Sequence, residues 1–297
     1  MKATEWKAGL STNIKLITEE TFKGYAESGI ECMEVSVGHI PMDKETDYKL
    51  IKKWAKEYGI NLWSYHIPFA PFEEINIATL DKELRKASVE FIKKKLDTVS
   101  ELETGIAVIH PSGEPNKPEE RAALMESAKE CLSELAEYAA HLGITVAVED
   151  LPRTCLGNCS ADIKELISAD SRLRVCFDTN HLLDENNIDF VKALSDKIIT
   201  LPVSDYDFRN ERHWLPYEGK NDWVGIVTAL EEAGYSGPFL FEIGRKAPES
   251  IARREITYKD FYENYKACVN KIPASVFGTP VEEVCDKSAY HKIPKIQ

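Results

Sequence analysis

Six apolar runs in this sequence finish on side chains that titrate or ligate. The run 32–37 carries Glu34, Trp63-Ser64-Tyr65 leads into His66, and Val108-Ile109 leads into His110. Val146-Ala147-Val148 leads into Glu149 and Asp150, Cys176-Phe177 into Asp178 and then His181, and Phe239-Leu240-Phe241 into Glu242. One such ending marks only a strand emerging into water; six ask for a common cause. Glu149, Asp178 and Glu242 each follow residues suited to burial, so their carboxylates would repel one another unless a cation or shared protons intervened. A divalent metal is the simplest resolution, and an oxygen-rich set of this type favours a hard ion such as Mn²⁺ or Mg²⁺. Two glutamates on either side of such an ion could also remove a proton beside a carbonyl and return it.

The elements that must position these groups are marked by a recurring Gly-Ile step, at Gly29-Ile30, Gly59-Ile60, Gly105-Ile106 and Gly143-Ile144. Glycine supplies a left-handed helix end and the β-branched residue then opens a strand. Between the steps the helices are legible: over 118–142, Leu124, Ala128, Cys131, Leu132, Leu135, Ala139 and Leu142 share one face. Strands are predicted at 7–12, 32–37, 61–66, 105–110, 144–149, 173–178, 198–203 and 239–243. Strands that alternate with helices pair in parallel through right-handed crossovers, and eight such units can close into a (β/α)₈ TIM barrel, a doubly wound open sheet being the alternative. In a barrel of this class the reactive groups come from the C-terminal strand ends, where these six clusters fall. The α/β barrel is therefore predicted over residues 1–271, with a C-terminal extension at 272–297, marked by Pro273, Pro280 and Pro294, that either straps the barrel's own surface or contacts another subunit of a homo-oligomer.

Composition narrows the function classes. Of 297 residues, 43% are hydrophobic and 29% charged, the balance of a globular enzyme, and no stretch approaches the roughly 18 apolar residues that span a bilayer. The opening residues lack the apolar core of a signal peptide, so a cytoplasmic location is expected. Seven scattered cysteines make neither a disulfide framework nor a CxxC pair and read as reduced core residues. A net charge of -13 disfavours a nucleic-acid partner, since that affinity comes largely from lysine and arginine displacing counterions.

Val148-Glu149-Asp150-Leu151-Pro152-Arg153, Phe177-Asp178-Thr179-Asn180-His181, Ser204-Asp205-Tyr206-Asp207 with Arg212-His213-Trp214-Leu215-Pro216, and Phe241-Glu242-Ile243 together resemble the sugar phosphate isomerase/epimerase family with the xylose isomerase-like barrel. The resemblance spans roughly residues 8–270. It implies a metal-assisted isomerase or epimerase acting through an enediolate on a small carbohydrate. Glu149 and Glu242 would be base and acid, and Glu149, Asp178 and Glu242 metal ligands. His66, His110, His181, Arg212 and His213 would contact substrate; apart from the resemblance, Arg153 or Arg245 near the strand ends are candidate anion contacts. A dehydratase or lyase of the same fold, or a carbohydrate-binding barrel without catalysis, are the alternatives. An endonuclease is set aside because it needs a histidine-rich zinc cluster and a basic face.

Two departures from the family pattern bear on the site. Where relatives read His-x-Ser-Asp this chain reads Pro202-Val203-Ser204-Asp205, so the strand-seven ligand is missing and the ion should be held weakly, unless His213 or Asp205 substitutes. Where they read Pro-Gly-Glu-Gly it reads Pro216-Tyr217-Glu218-Gly219, which predicts a reshaped loop.

Overall fold

The computed structural model describes residues 1–291, so Pro294 and the end of the arm lie outside the described residues. The first half of the chain alternates β1 (Ala8–Asn13), α1 (Glu19–Ser28), β2 (Cys32–Ser36), α2 (Tyr48–Tyr58), β3 (Asn61–His66), α3 (Lys82–Leu102), β4 (Ile106–Ile109) and α4 (Arg121–His141). The second half continues with β5 (Thr145–Glu149), α5 (Ser160–Ile167), β6 (Arg174–Cys176), α6 (Asn187–Leu194), β7 (Ile198–Thr200), β8 (Pro202–Val203), α7 (Trp223–Glu232) and β9 (Phe239–Phe241). After it come β10 (Ile251–Arg253), α8 (Tyr258–Val269), β11 (Gly278–Pro280) and α9 (Glu282–Lys287).

The parallel sheet runs β7-β6-β5-β4-β3-β2-β1-β9-β8. β7 and β8 are two halves of one strand, interrupted at Leu201: the first pairs with β6 and the second with β9. The seventh strand therefore changes partners along its length and closes the ring, with Leu240 N–H donating to Leu201 O (3.4 Å) and Thr179 N–H to Pro202 O (3.2 Å). Pro202 brings no N–H to the ladder, and β6 has already ended at Cys176 where that bond would be made. The result is the expected (β/α)₈ barrel rather than an open sheet.

Three of the four Gly-Ile steps end a helix in the left-handed region, with φ of +84° at Gly29, +69° at Gly59 and +72° at Gly143. At the third step the turn comes earlier, because Glu103 (φ +59°) caps α3 and Gly105 has no such duty. A bulge in β3 matters to the site: Leu62 pairs with Met33 and Ser64 with Glu34, so Trp63 is an extra residue. Side chains alternate along a strand, and one inserted residue reverses which of them face inward. Ser64 consequently donates to the buried Glu34 Oε2 (2.6 Å), and His66 enters the same interior.

The residues assigned to an arm pack on the barrel's own surface. β11 pairs antiparallel with β10, and Cys285 of α9 is buried against Trp214 and Ile251. No helix among the described residues is long and apolar enough to cross a membrane.

Candidate active site at the barrel mouth

Glu149, at the end of β5 and 1% exposed, is the hub of the site. His66 Nε2 lies 2.9 Å and His110 Nε2 3.0 Å from its Oε2, and His181 Nδ1 lies 4.0 Å from its Oε1. Burial alone would raise the Glu149 carboxyl, but His66 and His110 outweigh it and hold the group well below the usual carboxylate range. His66 responds in the opposite sense: burial disfavours its charge, yet Glu149 lifts it to about 10. Burial dominates at His110 and lowers it. Phe69 stacks on the His110 ring at 4.0 Å between centroids and fixes its plane.

The other side of the floor comes from β6, β9 and the loop after β8. Asp178 N–H donates to Asp150 Oδ1 (2.7 Å), Asp178 Oδ1 accepts from Asn180 N–H (2.8 Å), and Asp178 Oδ2 is buried without a hydrogen-bond partner. Glu242 Oε2 is orphaned in the same way. His181 Nε2 lies 3.5 Å from Asp178 Oδ2. Burial, then mutual repulsion with the neighbouring carboxylates, raises Asp178 well above its usual value and brings Glu242 to about 8. Three of the mouth's histidines donate Nδ1–H to a backbone carbonyl: His66 to Ile67 (3.1 Å), His181 to Asp150 (2.7 Å) and His213 to Glu242 (3.0 Å). This second bond fixes each ring and leaves Nε2 for the site, as in metal-ligating histidines.

The donors suit a cation. Ligand atoms of Glu149, Asp178 and His181 lie within 4.8 Å of one another, as do those of His66, His110 and Glu149. The orphaned Asp178 and Glu242 oxygens are the kind of buried polar atom that an ion satisfies. The four histidines expected at the site, His66, His110, His181 and His213, all line this mouth.

Residues 22–260 match the xylose isomerase-like TIM barrel family. The chain belongs to that family. It is 27% identical over 203 residues to an uncharacterized protein of Methanocaldococcus jannaschii, covering 65% of this chain and 69% of the relative. It is 25% identical over 253 residues to fructoselysine 3-epimerase of Escherichia coli O157:H7, covering 80% and 90%. The crystal structure of a D-tagatose 3-epimerase-like protein superposes with a TM-score of 0.73 at 23% identity, over 89% of this chain and 98% of that one, which bears on the fold.

Within this family barrel, a cavity of about 150 Å³ brings together His66, His110, Glu149, His181, His213 and Glu242, with Asp178 beneath. Arg212 is not brought to it. Its guanidinium is bonded to Asp207 (3.0 Å), Cys285 O (3.0 Å) and Ser288 Oγ (2.6 Å), and the residue lines the larger cavity next to the mouth. Arg153 does line the cavity but is bracketed by Glu114, by Asn210 (2.9 Å) and by Glu211 (3.2 Å). Glu211, missed in the sequence because it ends no strand, lies 3.6 Å from His181 Nε2. Its one signal was position, two residues before His213.

Asp205 is no substitute ligand, since its oxygens accept from Tyr206, Asn221 and Tyr217 N–H and from Trp223 Nε1. Tyr217, standing where the family pattern has glycine, keeps the glycine conformation at φ +75°. The bond to Asp205 holds it there against its own steric preference.

Proposed function

We propose that this protein is a metal-assisted epimerase or isomerase of a sugar or sugar derivative. The observation that carries the reading is the convergence of Glu149, Asp178 and Glu242 on one buried floor, with Asp178 Oδ2 and Glu242 Oε2 left without protein partners. The named activities of fructoselysine 3-epimerase and of the epimerase-like fold neighbour support it.

The two glutamates are held in opposite protonation tendencies, the arrangement that separates a base from an acid. Glu149, kept ionised by His66 and His110, takes the proton from the carbon beside the substrate carbonyl. The C–H electron pair moves onto the carbonyl and leaves an enediolate. Glu242, raised to about 8, gives a proton back to the carbon skeleton. His66, His110 and His213 orient substrate oxygens, and Phe69 and Phe72 exclude water from one wall. Glu149, Asp178 and Glu242, with His181 beside them, would hold a divalent cation, which when bound stabilises negative charge on the enediolate oxygens.

The test is a screen of ketoses, keto acids and inososes with Mn²⁺ in D₂O, read by NMR. Solvent deuterium at the reacting carbon of an epimer or isomer is the expected result. Stereochemically unchanged substrates without deuterium, in the presence of bound Mn²⁺, would move the protein to the carbohydrate-binding reading that Pro202 favours.

A further inference from the structure

Beside the mouth lies a second cavity of about 480 Å³, at the C-terminal ends of β1 and β2 and under the loop that follows β9. It shares His213 and Glu242 with the first as lining residues, so the two cavities adjoin across these side chains. The 150 Å³ mouth is smaller than the roughly 300–1,000 Å³ of ordinary small-molecule sites, whereas the neighbouring cavity falls within that range.

The second cavity also differs in charge from the rest of the molecule. In a chain of net charge -13, Glu242 is the one carboxylate among its lining residues, and Arg245 and Lys246 stand at its rim. Arg245 is steadied without being used up. Its Nε donates to Ile256 O (3.1 Å), Nη2 meets Glu255 (2.9 Å), and the guanidinium lies 5.2 Å from the Tyr258 ring centroid. No hydrogen bond among the described residues takes its Nη1, and Lys246 makes no ion pair among them. Ser11, Asn13, Ser36 and Arg212 also line this cavity. Arg153, across the mouth, has no such freedom, because Glu114 and Glu211 already face it.

We propose that this cleft receives the far end of the substrate, and that the substrate is a sugar carrying an anionic group, phosphate or carboxylate, remote from its reacting carbon. The reacting end rests on the epimerase or isomerase reading above; the cleft itself does not. An anion at the mouth would meet Glu149, Asp178 and Glu242, while in the cleft it meets Arg245 and Lys246. Charge thereby selects one of the two ways an extended sugar could lie.

The experiment compares ketoses of matched length as neutral sugars, terminal phosphates and terminal carboxylates, measuring deuterium exchange with Mn²⁺ present. One anionic form should exceed the neutral sugar in kcat/KM by about tenfold, the scale of one charge-assisted contact. Whichever anion leads identifies the source. In the Arg245→Gln/Lys246→Gln double variant that preference should collapse through KM. In parallel, inorganic phosphate and succinate are titrated into wild type and double variant without sugar, with binding read by calorimetry. If no sugar exchanges but either anion binds wild type and not the variant, the catalytic reading fails and the cleft assignment stands. Neutral and anionic ketoses that exchange equally would overturn the cleft assignment while leaving the reaction intact. Absence of both exchange and anion binding overturns it as well.

Discussion

At the level of single residues, the site works by environment more than by residue type. Glu149 and Glu242 have the same side chain, but two histidines hold the first ionised, while Asp178 and burial keep the second protonated to about pH 8. Glu149→Gln and Glu242→Gln keep volume and remove the titrating group, so each should lower turnover by roughly 10²–10⁴-fold in protein whose circular dichroism still shows the folded barrel. A variant retaining more than about a tenth of the wild-type rate would remove that residue from the mechanism. Asp43 offers a test away from the chemistry. Burial would raise it, but bonds from Lys95 (2.5 Å) and Tyr48 (2.5 Å) outweigh that and lower it. Because the folded-state pKa is depressed, the stabilisation is present above the unfolded value of about 3.9 and is lost as pH falls through the folded value. Asp43→Asn should therefore cost about 1.5–3 kcal/mol in urea melts at pH 7, with the gap to wild type narrowing towards pH 3. Which carboxylates meet at the mouth was legible in the sequence, since each ends an apolar run. The bonds of Arg212 to Cys285 O and Ser288 Oγ were not, because they come from a segment more than 70 residues away in the chain.

At the level of elements, the strands were legible because each is a short apolar run closed by a polar end, and the seventh shows the limit of that signal. The run 198–203 reads as one strand and is one in space, yet only the structure reveals that it pairs with β6 by its first half and β9 by its second. Helix starts follow local rules more closely. Asp222 caps α7, its Oδ1 accepting from Gly225 N–H (2.9 Å), so Asp222→Ala should cost about 1 kcal/mol in thermal or urea melts with activity retained. The arm defeated sequence reading, because its contacts are long-range and its proline pattern has no period. Its Gly278 packs close to Glu218, which pairs with Arg253 of β10 (3.0 Å), both side chains being 0% exposed. Arg253→Met leaves Glu218 charged, buried and unpaired, and should destabilise the fold by roughly 3–5 kcal/mol. A loss under 1 kcal/mol in the same melts would mean that water reaches Glu218.

At the level of the whole molecule, the barrel concentrates acidity at one point and must neutralise it. Pro202 contributes no donor where the family pattern has histidine, and His181 is the imidazole nearest the orphaned Asp178 oxygen. Protein prepared without added ions should bind Mn²⁺ in roughly the micromolar to millimolar range by calorimetry, since hard ions accept water in place of a missing ligand. An ion that stays bound stoichiometrically through purification would show that His181 fully replaces that donor.

The strap formed by the arm has a kinetic side. Arg209 pairs with Glu282 and Asp286, Tyr290 N–H donates to Arg209 O (2.7 Å), and Arg212 is held by Cys285 O and Ser288 Oγ. The loop that presents Glu211 and His213 to the mouth is thus braced from behind by residues 282–290. Opening of the loop and release of that bracing segment become one local unfolding event rather than two. Amides at 209–213 should then exchange with solvent at the same rate as those at 282–288, and more slowly than an untethered surface loop. A chain ending at residue 277 should expose that loop to exchange and to proteases while the strands of the barrel stay protected.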